Sequence, residues 1–183
     1  MDVNWDLMNY HFYGAYSLLS DRLGIDYFAA SIQGYFNPLV YVPLYLMIKA
    51  GIPALVCSSI LVVLHSLNAI FVFKIFQEMQ REIGIESFLF QVVALALSII
   101  APLFLTTVGS SFSDPVTSIM VLAGLYYFIR AQSLGYIIVS GILFGAALGL
   151  KLTNLYFCIG IYACFFLKYK ISKIEDYSGS IAI

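Results

Sequence analysis

Residues 53–77 read PALVCSSILVVLHSLNAIFVFKIFQ, an apolar run in which His65, Asn68 and Lys74 are the main polar interruptions. At about 1.5 Å of rise per residue, a helix of this stretch covers the roughly 30 Å of hydrocarbon in a bilayer. Its surroundings have the same character. With 62% of the 183 residues apolar and 10% charged, the chain has too little polar surface to cover a soluble domain. The spacing therefore predicts an all-α fold, a polytopic transmembrane helical bundle. Residues 87–108 supply a second span and 115–130 a third, short one. The run 136–167 is too long for one crossing and carries Lys151, Thr153 and Asn154 in its middle, where a lipid-facing charge costs several kcal/mol. It divides into helices over 136–150 and 153–167, which brings the total to about five spans. Gly141, Gly145 and Gly149 form a small-residue stripe at spacing four, a signal for close helix packing.

Three regions follow: 1–52, 53–168 and a tail, 169–183, that is cytoplasmic or opens a further loop. Residues 37–50 carry Pro38 and Pro43 and have an apolar core too short to span, so they form an interfacial helix with Tyr41 and Tyr45 at headgroup level. Together with an amphipathic helix over about 7–19, this makes 1–52 an outer loop. With no crossing before Pro53, one face collects Lys74, Arg81, Arg130, Lys168, Lys170 and Lys173 and the other Arg22, Lys49 and Lys151, six against three. The richer face is the cytoplasmic one. Asp2, Asp6, Asp21, Asp26 and Asp114 then share the outer face with Lys151. Residues 1–13 lack the basic and apolar pattern of a signal peptide and read as a loop that follows a membrane helix. Portions of the same protein before Met1 and after Ile183 are accordingly expected.

A formal net charge of -1 offers no basic field for nucleic acid. Cys57, Cys158 and Cys164 lie in apolar runs without zinc-type spacing and read as packing residues. Chemistry falls to a few polar positions. Asp6, in the aromatic stretch Trp5 to Tyr13, is either a general base or the cap of the helix over 7–19. Asn9, Tyr10 and His11 beside it are candidate substrate contacts. Asp114, in Ser113-Asp114-Pro115, starts a helix as a cap, and across a cleft from Asp6 it can orient a sugar or hold a metal ion. Lys151 either neutralises a phosphate or snorkels to headgroups. His65 and Asn68, one turn apart, serve interhelical hydrogen bonding or line a polar path.

The order of these features resembles the N-terminal half of polytopic glycosyltransferases of the GT-C superfamily, of the protein mannosyltransferase and aminoarabinose transferase type. The resemblance rests on Asp6 and Tyr10 in an outer loop, Phe36-Asn37-Pro38-Leu39, Ser113-Asp114-Pro115, and Gly149-Leu150-Lys151-Leu152-Thr153-Asn154. It implies catalytic roles for Asp6 and Asp114 and substrate contacts at Asn9, Tyr10, His11, Asn37, Lys151 and Asn154. The implied donor is a sugar on a polyprenyl phosphate, with membrane lipids around it and no nucleic acid partner. Transfer would go to an acceptor hydroxyl, in a bacterial inner membrane with an extracytoplasmic active face. In that scheme Asp6 takes the hydroxyl proton while Lys151, with Arg22 or Lys49, offsets the charge on the leaving phosphate. The cofactor is left unknown, a divalent metal being possible. Leu7 stands where a second adjoining acid would be, and the family's preceding helix and C-terminal part lie outside this sequence. The alternative is a non-catalytic membrane protein, part of a transporter or an assembly subunit, with His65, Asn68 and Lys151 along a polar path.

Overall fold

In the computed structural model the described residues are 4–26, 30–131, 133–164 and 166; the tail 169–183 with Lys170 and Lys173, as well as Lys168, lies outside them. Every described element is helical, so the fold is all-α. A π-helical turn, Leu7–His11, runs into α1 (Phe12–Leu19), and two 3-10 turns, Ser31–Tyr35 and Pro38–Tyr41, lead to α2 (Val42–Lys49). The long helix α3 (Ala54–Ile83) follows, then α4 (Phe88–Ile99), α5 (Pro102–Thr107), α6 (Asp114–Ile129) and α7 (Leu134–Leu150). After an extended Lys151 the chain forms α8 (Leu152–Cys164).

α3 is the one described helix long and apolar enough to cross a membrane unaided. Its 30 residues extend beyond the expected 53–77 to include Glu78 and Arg81. It stops where Gly84 turns to φ 70°, and the Gly84 and Ile85 amides bond back to the Arg81 and Gln80 carbonyls. A left-handed residue ends a helix in this way, and glycine adopts it without a Cβ penalty.

The expected single span over 87–108 is corrected: it breaks at Ile100 and Ala101 into α4 and α5. Pro102 is the cause. It brings no N–H to the ladder and drives Ala101 out of the helical region, to ψ 128°. By contrast, the break expected at Lys151 is present, with φ -149° and ψ 113°.

α3 and α6 run parallel, with Asn68 bonded to Pro115 near the start of α6 and Glu78 paired with Arg130 at its end. α7 returns against α6 where Ser140 donates to the Gly124 carbonyl at 2.8 Å. A Cβ on Gly124 would stand 2.9 Å from the Phe144 ring, so the absence of a side chain lets these two helices touch. The glycine stripe behaves otherwise: nothing lies within 4 Å of a Cβ placed on Gly141, Gly145 or Gly149. Its expected close packing is not made among the described residues.

Leu7, Leu44, Cys57 and Leu61 form one buried cluster, and Val121, Phe144, Ala147 and Cys158 another. Outside them large aliphatic and aromatic side chains face outward along α3, α4, α5 and α7, among them Leu55, Phe88, Leu103 and Leu134. Polar side chains gather instead near the two ends of α6.

Candidate functional site

The N-terminal helix starts on Asn4, whose Oδ1 accepts from the Leu7 amide at 2.7 Å. Asp6 already has helical angles and makes no side-chain cap bond, so its capping reading is corrected and the carboxylate is left for other work. Asn4 Nδ2 donates to Ser111 Oγ at 3.1 Å, which fastens this segment to the turn Gly109–Ser113.

That turn is recessed. Ser110, Ser111 and Ser113 are buried, and the Gly109 amide donates to His65 Nδ1 at 3.1 Å. Gly109 has φ 74°, and a Cβ there would meet Val62 Cγ2 at 2.7 Å, so both conformation and space demand glycine. Asn68 Nδ2 donates to the Pro115 carbonyl at 2.7 Å, and Ser118 Oγ donates to Asn68 Oδ1 at 2.8 Å. His65 and Asn68 thus tie α3 to the start of α6, which is the interhelical bonding expected of them. Both lie ~17 to 21 Å along α3 from Ala54, at about 1.5 Å per residue.

Asp114 is the first residue of α6 and makes no cap bond; the preceding Ser113 occupies the cap position without using its side chain either. The Asp114 carboxylate stands 2.6 Å from Lys151 Nζ. Lys151 is held there by the extended backbone between α7 and α8, its side chain 23% exposed against 46% for Asp114.

Aromatic rings bridge the two acids. His11, buried, stacks on Tyr41 at 4.0 Å between centroids and meets Phe112 edge-on at 6.0 Å. Tyr10 packs edge-on to His11 at 4.5 Å between centroids, with the Asp6 carboxylate near its hydroxyl. Tyr41 OH and Ser113 Oγ are 3.1 Å apart. Burial, then the charge of Asp6, raises the Tyr10 phenol well above its ordinary range. Tyr41 is pushed up to about 12, first by burial and then by Asp114 and Asp6, against a lowering from its Ser113 bond. Both carboxylates bear on both phenols, so Asp6 and Asp114 lie around the same pair of rings. The phenols stay protonated and can serve as donors.

The other expected contacts divide. Asn37 Oδ1 caps its own turn through the Leu39 amide at 3.1 Å, and Asn37 Nδ2 donates to the Gly149 carbonyl at 2.8 Å, which draws the first loop to the end of α7. Asn9 Nδ2 bonds the Trp5 carbonyl within its own helix at 2.7 Å. Asn154 is buried, with Nδ2 on the Ala147 carbonyl at 2.8 Å, and closes the α7 end next to Lys151. Arg22 is committed to Asp26, its Nε at 2.5 Å, and Lys49 lies over the Tyr45 ring. Among the described residues no group of three or more His, Cys, Asp or Glu side chains is placed to hold a metal ion.

The sequence assigns no site role to Asn4, Tyr41, Ser111 or Ser113. Asn4 carried a readable signal, a cap residue three positions before Leu7. Tyr41 did not, because a ring that stacks on His11 reads the same as one at headgroup level. Next to Asp6, an apolar groove of about 440 Å³ begins at Leu7 and is lined by Met8, Phe12, Ile48, Ile52 and Cys57 as well.

In comparison with known proteins, no family model, no curated protein and no solved structure matches this chain.

Proposed function

We propose that this chain is a membrane glycosyltransferase, or a portion of one, that moves a sugar from a polyprenyl phosphate to an acceptor hydroxyl on the non-cytoplasmic face. The observation that supports this reading is the Asp114–Lys151 pair at 2.6 Å, with the Asp114 and Asp6 charges both bearing on the Tyr10 and Tyr41 phenols. This reading takes about five short crossings around α3, and what supports it is that α6 and α7, each ~24 to 26 Å and somewhat less than a hydrocarbon slab, pack side by side.

Asp6, whose carboxylate makes no cap bond, takes the proton of the incoming hydroxyl. The hydroxyl oxygen attacks the sugar carbon, and the bond from that carbon to the phosphate oxygen breaks with its electron pair leaving on the phosphate. Lys151 stabilises the charge that develops there, exchanging its contact with Asp114 for the phosphate. Asp114, so released, accepts a hydrogen bond from the sugar. Direct displacement inverts the sugar carbon. The apolar groove beside Leu7 has the chemistry to hold isoprenoid chain, and it opens one residue from the proposed base. The rival polar path would need His65 and Asn68 facing a channel, whereas both are engaged in holding the turn.

The experiment is Asp6→Asn in the full-length protein, reconstituted in vesicles with a lipid-linked sugar donor. Loss of a general base lowers turnover by about 100-fold to 10,000-fold. Helix content by circular dichroism should be unchanged, because Asp6 makes no cap bond. Transfer at the parent rate removes Asp6 from the chemistry.

A further inference from the structure

The Asp114–Lys151 ion pair joins two side chains whose backbones are held by other bonds. Lys151 gives its amide to the Ala147 carbonyl at 3.0 Å and takes the Asn154 amide on its own carbonyl at 3.1 Å. The side chains of Asn37 and Asn154 hold the neighbouring Gly149 and Ala147 carbonyls, each at 2.8 Å. Asp114 is followed by Pro115, whose carbonyl accepts from Asn68, and preceded by Ser113, which pairs with Tyr41. Opening the 2.6 Å contact therefore asks only the two side chains to turn. Asp114 is 46% exposed, so the pair stands at the edge of water, where such contacts are weak enough to exchange. Among the described residues no other ion pair engages either group.

The charge of the lipid ligand changes during the transfer proposed above. The donor is a phosphodiester with one negative charge. Once its sugar has gone, the carrier is a phosphomonoester, whose second ionisation at pH ~6 gives it close to two. A lone ammonium would hold that product more tightly than the substrate, because attraction grows with charge. Asp114 reverses the order. While the sugar is attached, its hydroxyls occupy the carboxylate and Lys151 is left to the phosphate. When the sugar departs, the carboxylate is free to take back the ammonium, and no backbone has to move for it to do so.

We propose that the Asp114–Lys151 contact is a release clasp, which closes when the sugar has left and expels the spent isoprenyl phosphate. The proposal rests on the transferase reading and adds product release to the work of Asp114.

To test it, farnesyl phosphate, an isoprenyl monophosphate without a sugar, is titrated into the full-length protein in detergent at pH ~8, where the phosphate is a dianion, and binding is followed by isothermal calorimetry. D114N should bind it about fivefold more tightly than the parent, the upper range for an exposed pair. Loss of a nearby negative charge would also tighten binding without any clasp, so a double-mutant cycle with Lys151 decides between the two. In a K151Q background the same D114N change should alter affinity by less than about twofold, because no ammonium is left to be reclaimed. A fivefold gain that persists there is a general field effect and overturns the clasp. Circular dichroism should show both variants folded, since Asp114 makes no cap bond and the Lys151 backbone is held by its neighbours. Binding by the parent that D114N leaves unchanged removes the clasp alone. If neither parent nor D114N binds farnesyl phosphate, the transferase reading falls together with the clasp.

Discussion

The two polar ends of the bundle are built on opposite plans. At the Asp6 end, parts come from stretches far apart in sequence: Asn4 on Ser111, Asn37 on the Gly149 carbonyl, His65 on the Gly109 amide, Tyr41 on Ser113. Neutral amides, hydroxyls and an imidazole do the fastening, and the charged groups ride on the result. At the Arg130 end a charged pair, Glu78 with Arg130 at 3.4 Å, ties α3 to α6 beside local bonds. Arg81 reaches Glu78 one turn away on the same helix, and Gln80 and Gln91 close the α3–α4 turn at 2.8 Å. Arg130 is the distant member. An end whose geometry is set by neutral bonds keeps its charged side chains for something else, as preorganised sites require. An end whose charges hold the helices together has less to spare.

The largest expected effect follows from removing a neutral fastener. Asn68 is buried and bonds the Pro115 and His65 carbonyls while accepting from Ser118. Asn68→Ala leaves these groups short of partners in a dry place, although Ser118 can still reach the Pro115 carbonyl at 3.0 Å. The net loss should be about 2 kcal/mol, or roughly 4 to 8 °C in Tm, measured by thermal unfolding in detergent. Added salt should leave this loss unchanged. A loss that salt erases would mean that the Asp6 end is held by charge after all, and the contrast would collapse.

That contrast also explains what could be read in the residues. Apolar runs and the charged interruption at Lys151 announce helices directly, because hydropathy is a local property. The break before α5 was equally local, in Pro102, but lay inside a run whose hydropathy outweighed it. Glycine was harder. The regular stripe Gly141, Gly145, Gly149 advertises packing and makes none among the described residues, whereas the solitary Gly124 admits the Phe144 ring. Only the partner helix decides which glycine matters. At the site, the residue types Asp6, Asp114 and Lys151 could be picked out as scarce charges among apolar ones. The Asp114–Lys151 contact joins residues from two different helices' ends, and the capping roles offered for Asp6 and Asp114 were equally consistent with composition. Asn4 took the first of those roles, and Ser113 sits in the second position without using its side chain.

A smaller effect is expected from Glu78→Gln. This substitution removes both arginine contacts of Glu78, but Arg81 and Arg130 are 62% and 39% exposed, and such pairs are screened. Tm should fall by roughly 2 °C at low ionic strength and by less at high salt. A fall as large as that of Asn68→Ala, insensitive to salt, would show that the two ends are fastened alike.

The smallest effect at neutral pH belongs to Tyr41→Phe, and its value lies in the alkaline range. The unfolded phenol ionises near its ordinary 10.0, while the folded one keeps its proton up to about 12. Stability from holding Tyr41 protonated is thus fully present below pH ~10 and is lost as pH rises through ~12. Phenylalanine has nothing to ionise. At pH 8 the variant should sit slightly below the parent, by the lost contact with Ser113. Between pH 10 and 12 the parent should lose stability that the variant keeps, so the gap between their melting temperatures should close and then reverse. A gap that stays constant across this window would mean that neither burial nor the two carboxylates hold the Tyr41 proton, and the placement of Asp6 and Asp114 around that ring would fail.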